Sequence, residues 1–337
     1  MEKATKYVDR TIPEISLKDF SSRIDEITGQ ICDAAENVGF FAIVNHGITP
    51  EDMEAMFDIS DAFFHLPDNV KATVPWSPLN VGWEKMEQVR PTTGLADMKE
   101  SYQLQFGANM EGRWLADKHL PGFRDSCLAF MHRLQAISEM LMICLARGLG
   151  FEDDFFVKVH DPTHPDIMSV MRLIHYFPTP QPEEADRVGN YQRAGAHTDW
   201  GFLTLLLQRA GQGGLEICPG GGTGWTRVDF NAAAPGSIVC NIGDMLQSWS
   251  DDRFRSTLHR VKTPCGDPGD YYGERFSLAF FNQPIGNTVV RGPRGKYAPL
   301  TGGEFIKRAI DAHFTALQEK LRTGPSAGGP SSVEAAA

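Results

Sequence analysis

The sequence predicts a mainly β protein with flanking helices: a sandwich or closed antiparallel barrel, covered by an N-terminal α/β region and followed by a C-terminal helix. Three observations predict it. At least seven short strand-like segments follow residue 168, among them "MSVMRLIHYF", "GFLTLLLQ", "GSIVCNIGD" and "RFSLAFFNQ", with Gly, Pro and Asp turns between them. The first third instead alternates helix and strand patterns, and residues 303–322 carry a helical apolar stripe through Phe305, Ile306, Ile310, Phe314, Leu317 and Leu321. With 337 residues, 42% of them hydrophobic, the chain can bury a substantial core.

In chain order, Ile24, Ile27, Ile31, Ala35 and Val38 recur at helical spacing, and "GFFAIVNHGI" (39–48) then reads as a buried strand. Thr49, Pro50 and Asp52 form a helix start, with a hydroxyl cap, a proline at the first helical position and an acid three residues after the cap. That helix should run to about Leu66. Residues 67–122 give mixed signals, and "VPWSPLNVGWEKMEQVRPTTG" reads as surface loop or lid. Residues 124–147 return to helix with a stripe of Leu128, Met131, Leu134, Leu141 and Leu145, and Gly148 is the expected terminator. The tail at 323–337, "TGPSAGGPSSVEAAA" from its first residue onward, has too little apolar surface to order itself. The domain division that follows is 10–125 as N-terminal region, 126–322 as barrel with its core motifs at about 167–287, and 323–337 as disordered tail.

Composition excludes several classes. The formal net charge is −11, from 32 basic and 43 acidic residues, and the basic residues are scattered, so no stripe matches a nucleic-acid backbone. No apolar run reaches the roughly 18–20 residues of a membrane span, and "MEKATKYVDRTIPEI" lacks the apolar core of a signal peptide. A cytoplasmic protein without nucleic-acid or membrane partners is expected. The six cysteines form no CxxC pair and read as reduced core or loop thiols.

The chemistry centres on "RAGAHTDWGFLTLLL", which puts His197 and Asp199 at the mouth of an apolar segment. On a strand, positions i and i+2 share a face, so the two side chains can share a metal. Composition alone, with ten histidines, yields about one such pair by chance, and a second one exists at His164 and Asp166. Pro165 between those two argues against a strand there and for a solvated loop. His259 in "FRSTLHRVKTP" is the best third ligand, since two histidines and one carboxylate leave open positions suited to non-haem Fe(II). "ERFSLAFF" then places Arg275 and Ser277 on one strand face, where a buried guanidinium demands an anionic partner such as a carboxylate.

Together and in this order, these pieces resemble the iron(II)- and 2-oxoglutarate-dependent dioxygenases of the isopenicillin N synthase-like branch, over residues of about 10–320. "GFFAIVNHGI", "DMKESYQLQFG", "MRLIHYFPTPQP" and "VCNIGDMLQSWS" are similar to further blocks of that family. The resemblance implies a double-stranded β-helix (jelly roll) fold, with His197, Asp199 and His259 as iron ligands and Arg275, Ser277 and Tyr176 on 2-oxoglutarate. It also implies O2 as oxidant, release of succinate and CO2, and oxidation of an unactivated C–H bond of a small molecule, by hydroxylation before desaturation or ring closure, in specialised metabolism. Trp83, Tyr102, Trp200, Asn241 and Phe281 are the candidate substrate-pocket residues, and "GFLTLLL" is expected to wall the reactive centre.

Two departures stand out: Ile174 occupies a position where many plant members carry asparagine, and the stretch 262–274 is longer than usual, as if an extended hairpin. Other readings of the same residues are an iron oxidase that needs no 2-oxoglutarate, a non-catalytic small-molecule receptor, and a zinc hydrolase. Anionic, aromatic and terpenoid-like substrates all stay open.

Overall fold

The apolar segments become strands that are buried on both faces. A computed structural model describes residues 5–88, 96–179, 193–220, 224–228, 236–267 and 269–311. Its major sheet runs β1 (Glu14–Ser16), β2 (Phe40–Val44), β10 (Ile238–Ile242), β7 (Leu203–Gln208), β12 (Arg275–Asn282), β5 (Val170–Tyr176), β4 (Lys99–Gln105) and β3 (Gly82–Lys85). The minor sheet runs β6 (Ala194–His197), β11 (Leu258–Val261), β8 (Leu215–Cys218) and β9 (Thr226–Arg227). All pairings in both sheets are antiparallel except β1 with β2. The two sheets form a double-stranded β-helix, with the chain crossing between them at each step from β6 to β12 except from β8 to β9, which stay in the minor sheet.

Alternation along each central strand divides its side chains between two environments. On β12, Phe276, Leu278 and Phe280 join the core under the helices, while Arg275, Ser277, Ala279 and Phe281 face a cavity between the sheets. On β7, Leu203, Leu205 and Leu207 go to the helix side, and Thr204 and Leu206 to the cavity. Each fully buried leucine contributes roughly 1.5–3 kcal/mol, so the helix-side rows fix the register, and the register aims the cavity residues. A slip of one position would exchange the two sets.

The helices that cover the major sheet begin where their caps dictate. In α2 (Pro50–Phe64), the Thr49 hydroxyl accepts from Asp52 N–H and the Asp52 carboxylate accepts from Thr49 N–H, with Pro50 opening the first turn. α1 (Phe20–Asn37) packs on α4 (Phe123–Leu149), and α2 lies against β5 and β12. α4 ends at Gly150 rather than Gly148: Gly150 takes the left-handed conformation at φ 78°, whereas Gly148 lies inside the helix, where a Cβ would stand 2.1 Å from Cys32 Sγ. By length and composition α4 is also apolar enough to cross a membrane, against the expectation of no such run, but its apolar side chains pack in the core of this fold. The C-terminal helix is described over 302–311, and its predicted remainder, with the tail at 323–337, lies outside the described residues.

The reading of "VPWSPLNVGWEKMEQVRPTTG" (74–94) as surface loop or lid is corrected at Gly82–Lys85, which form β3, while its residues 89–94 lie outside the described residues. The mixed signals of 67–122 resolve into further elements. This stretch supplies β3, β4 and the short helix α3 (Asp68–Lys71), and every residue of β4, "KESYQLQ", is buried. Hydrophobic patterning misses such a strand because its polar side chains bond one another. Glu100 holds Lys71 Nζ at 2.7 Å, Trp83 Nε1 at 2.8 Å and His175 Nδ1 at 2.9 Å. Burial alone would raise its carboxyl, but His175, Lys71 and Trp83 outweigh burial and hold it below the ordinary value. The hairpin expected at 262–274 is also absent among the described residues, because β11 and β12 belong to different sheets. The connection is instead a compact loop, knotted by Lys262 on Asp267 and Asp270 at 2.6 Å each. Five cysteines are buried and Cys265 is exposed, and all six are free thiols.

His160 gives a pH test of this core. It is fully buried beside Phe202, its Nδ1–H donates to Phe156 O at 2.8 Å, and burial pushes the imidazole down to about 4 from 6.5. The unfolded chain therefore takes up a proton below pH 6.5 that the folded chain refuses until about 4. Its contribution is complete above pH 6.5 and is lost as pH falls, by about 3 kcal/mol. Denaturation of wild type and His160→Asn at pH 7 and pH 4 should show the wild type losing that much more than the variant; equal losses would contradict the assignment.

Candidate metal centre and cavity

Two histidines sixty-two positions apart become direct cross-strand neighbours, because β6 and β11 pair with His197 opposite His259. Their ring centroids lie 4.3 Å apart. Asp199 arrives differently from the sequence expectation. It does not share a strand with His197, which is the last residue of β6; it sits in the connection that carries the chain from the minor to the major sheet. The shared-face argument was therefore the wrong reason for a correct convergence. Asp199 Oδ1 stands 3.6 Å from His259 Nε2 and 3.8 Å from His197 Nε2, and the three ligand atoms lie within 4.8 Å of one another.

The remaining atoms of each side chain are engaged elsewhere. His197 Nδ1 bonds Gly195 O at 2.7 Å and His259 Nδ1 bonds Thr257 O at 3.1 Å. A carbonyl only accepts, so each Nδ1 carries a proton, and each Nε2 is the atom aimed at the shared point, where its lone pair would serve a metal. Asp199 Oδ2 accepts from Thr204 Oγ1 at 2.7 Å and from Asn241 Nδ2 at 2.8 Å, which leaves Oδ1 facing the imidazoles. Burial acts to raise this carboxyl, yet His259, His197 and Asn241 together hold it well below the usual carboxylate range.

The "NIGD" segment locks this corner. Asn241 ends on the carboxylate, and Asp244 N–H donates to Asp199 O at 2.8 Å. Gly243 between them passes so close that a Cβ there would stand 2.1 Å from Gly201 O. Only glycine fits that approach.

The same cavity holds the guanidinium. Arg275 is 1% exposed, and its Nε donates to Gln212 O and Gly213 O at 3.1 and 3.2 Å. Nη2 donates to Gln208 Oε1 at 3.0 Å and Nη1 to Ser277 Oγ at 3.4 Å, while the group stands 4.9 Å from the centre of the Tyr176 ring. Arg275 and Tyr176 are also register partners across β12 and β5. Burial lowers the Arg275 pKa from its ordinary value, and no carboxylate lies within ion-pair distance of it among the described residues. Because the Ser277 oxygen accepts from Arg275, its own proton is left to donate to a bound oxygen. A planar cation ringed by neutral acceptors and a hydroxyl fits a carboxylate brought by a ligand.

Of the five pocket candidates, Trp200, Asn241 and Phe281 line the cavity. Trp83 and Tyr102 do not, and both are corrected. They face each other across β3 and β4 on the helix side, where Tyr102 stacks on Phe63 and Trp83 bonds Glu100. Alternation puts Lys99, not Tyr102, toward the cavity. Ile174 makes an apolar wall where a polar contact was in doubt, and Leu206 is the part of "GFLTLLL" that walls the cavity with Thr204. His164 and Asp166 lie in a turn outside the strands, as expected. Sequence reasoning missed Arg172, Lys99 and Gln88 in the lining. Arg172 was within reach, since it shares the alternation of Ile174 and Tyr176 on β5.

Comparison with known proteins agrees with this geometry. Residues 167–284 match the 2OG-Fe(II) oxygenase superfamily, and residues 12–121 match the family described as non-haem dioxygenase in morphine synthesis N-terminal. The chain is similar to 2-oxoglutarate-dependent dioxygenase ecdK of Aspergillus rugulosus, 32% identical over 87% of this chain and 92% of that one. It is also similar to proline hydroxylase buaE of Petromyces alliaceus, 30% identical over 82% of this chain and 90% of the other. Among solved structures it resembles a full-length Neurospora crassa protein in complex with alpha-KG and thymine, with a TM-score of 0.76 and 26% identity over 91% of this chain and 99% of that one. With residues 12–121 and 167–284 both matched, and relatives of 30% identity or more aligned along most of its length, the chain belongs to the 2OG-Fe(II) oxygenase superfamily.

Proposed function

We propose that this protein is an Fe(II)- and 2-oxoglutarate-dependent oxygenase that oxidises an unactivated C–H bond of a small organic molecule, by hydroxylation in the first instance. The observation that carries the reading is the convergence of His197 Nε2, Asp199 Oδ1 and His259 Nε2 on one point of a cavity that also holds Arg275. Two neutral imidazole nitrogens and one carboxylate oxygen fit a ferrous ion with coordination positions left open. Iron and 2-oxoglutarate, when bound, supply the O2-dependent decarboxylation to succinate and CO2 that is coupled to substrate oxidation.

The chain's own part is to bind, orient and keep dry. His197, Asp199 and His259 would hold the metal, with Asn241 and Thr204 keeping Asp199 from turning its second oxygen inward. Arg275 and Ser277 would take the far carboxylate of 2-oxoglutarate, with Tyr176, whose ring lies against the guanidinium, beside them on the same co-substrate. Ile174, Leu206 and Ala279 supply apolar walls that exclude water from the reacting carbon. Residues 10–125 would act as cover and 126–322 as the catalytic barrel.

Two measurements test the roles. Asp199→Ala removes the only anionic ligand, so Fe(II) affinity followed by calorimetry should fall by at least about a hundred-fold; retained affinity would displace the metal site. Arg275→Gln should weaken 2-oxoglutarate binding by about ten- to a hundred-fold, since a charge-assisted pair is replaced by a neutral one. Succinate release with a metabolite extract is the activity readout. Substrate oxidation without succinate would move the chain to the oxidase reading.

A further inference from the structure

Arg275 is not the only cation on the cavity wall. The described lining carries three full positive charges, Lys99, Arg172 and Arg275, against a single carboxylate, Asp199, which faces the two histidines. Arg275 is absorbed by the co-substrate in the proposed function. Lys99 and Arg172 stand apart from it, on the β4 and β5 side.

Their charged heads are gathered by one amide. Lys99 Nζ donates to Gln88 Oε1 at 2.7 Å, and Arg172 Nη1 donates to the same oxygen at 3.5 Å. Arg172 Nη2 donates to Gln103 Oε1 at 2.8 Å, and the guanidinium stands 5.6 Å from the centre of the Phe281 ring. Two like charges brought to one acceptor repel, and the fold spends stability to hold them there. Asp97, itself buried, lies 3.8 Å from Lys99 and offsets one charge, while its Oδ1 accepts from Gly195 N–H. Gln88, Gln103 and the Phe281 face thus orient the Arg172 guanidinium on the cavity wall. Ile174 and Tyr176 lie beyond it on the same face of β5, and Phe40, Trp200 and Phe281 give the cavity aromatic surface.

We infer that the substrate is a carboxylate-bearing small molecule with an apolar body, and that Arg172, supported by Lys99 and Gln88, binds its carboxylate and sets its specificity. This rests on the proposed function, because it assigns Arg275 to 2-oxoglutarate. A planar fork beside an ammonium fits one carboxylate, and Phe281, Trp200 and Ile174 would hold the apolar body toward the histidines.

The probes are 3-phenylpropanoate and hexanoate with their primary amides, titrated calorimetrically into the Mn(II)-loaded protein at saturating 2-oxoglutarate without oxygen. At least one acid should bind about ten-fold or more tighter than its amide. Arg172→Gln should abolish that preference, and Arg172→Lys should restore part of it. Amides binding as well as acids, an unchanged preference in Arg172→Gln, or no binding of either acid at millimolar concentration would overturn the inference. A 2-oxoglutarate titration of the wild type separates the two claims. Its failure beside an intact acid preference overturns the proposed function alone, and its success with no acid preference overturns this inference alone.

Discussion

A carboxylate taken out of water must be held by donors and positive charge, and Asp199 imposes that requirement on everything around it. One oxygen is satisfied by Thr204 and Asn241, from the two adjacent strands β7 and β10 of the major sheet. The other faces two imidazoles from the minor sheet. The residue sits where the chain crosses between the sheets, so neither sheet alone could satisfy it. The close approach of Gly243 to Gly201 follows from the same crossing, because the helix Asp244–Trp249 must start against the Asp199 backbone. A geometry fixed by this many bonds needs little rearrangement to receive a cation.

The strands with two buried faces explain what could be read in advance. "GFLTLLLQ" and "RFSLAFFNQ" announce themselves because their helix-side rows are leucine and phenylalanine, and the polar exceptions between them, Thr204, Arg275 and Ser277, mark the cavity side. The converging triad was legible from residue type and order, not from periodicity: the pairing of β6 with β11 that unites His197 and His259 is non-local, and a one-dimensional pattern carries no trace of it. The capping box at Thr49 was legible because a cap is a local interaction among four residues.

β4 was not legible for the opposite reason. Its stability comes from pairs made across sequence, Glu100 with Lys71 and His175, Ser101 with Glu84, Gln103 with Arg172, and each partner looks like surface when read alone. Tyr102 and Trp83 were then assigned to the cavity from their positions near the motifs, although alternation within the strand sends them to the helices. The loop at 262–274 was mistaken because chain length was read as a hairpin, while the sheets it connects are different ones. Gly148 and Gly150 show the same limit at a helix end: both suit a terminator, and only the contact with Cys32 tells which glycine is there for space.

The cavity keeps opposite charges on facing walls, with Asp199 at one and Arg275 at the other, and neither is the ion-pair partner of the other. Arg275 is buried at a cost that its neutral partners offset only in part, since hydrogen bonds from amides and hydroxyls return less than solvation of a full charge, and Asp199 is held by crowding two imidazoles against one oxygen. A cation beside Asp199 and a carboxylate beside Arg275 would each recover part of that cost. Because such ligands bind the folded chain and not the unfolded one, they add to its stability as their concentration rises above their dissociation constants. Replacing Arg275 and Ser277 by apolar residues that fill the same space would therefore favour the fold and forfeit the ligand, which is the direction in which a stable but inactive barrel lies.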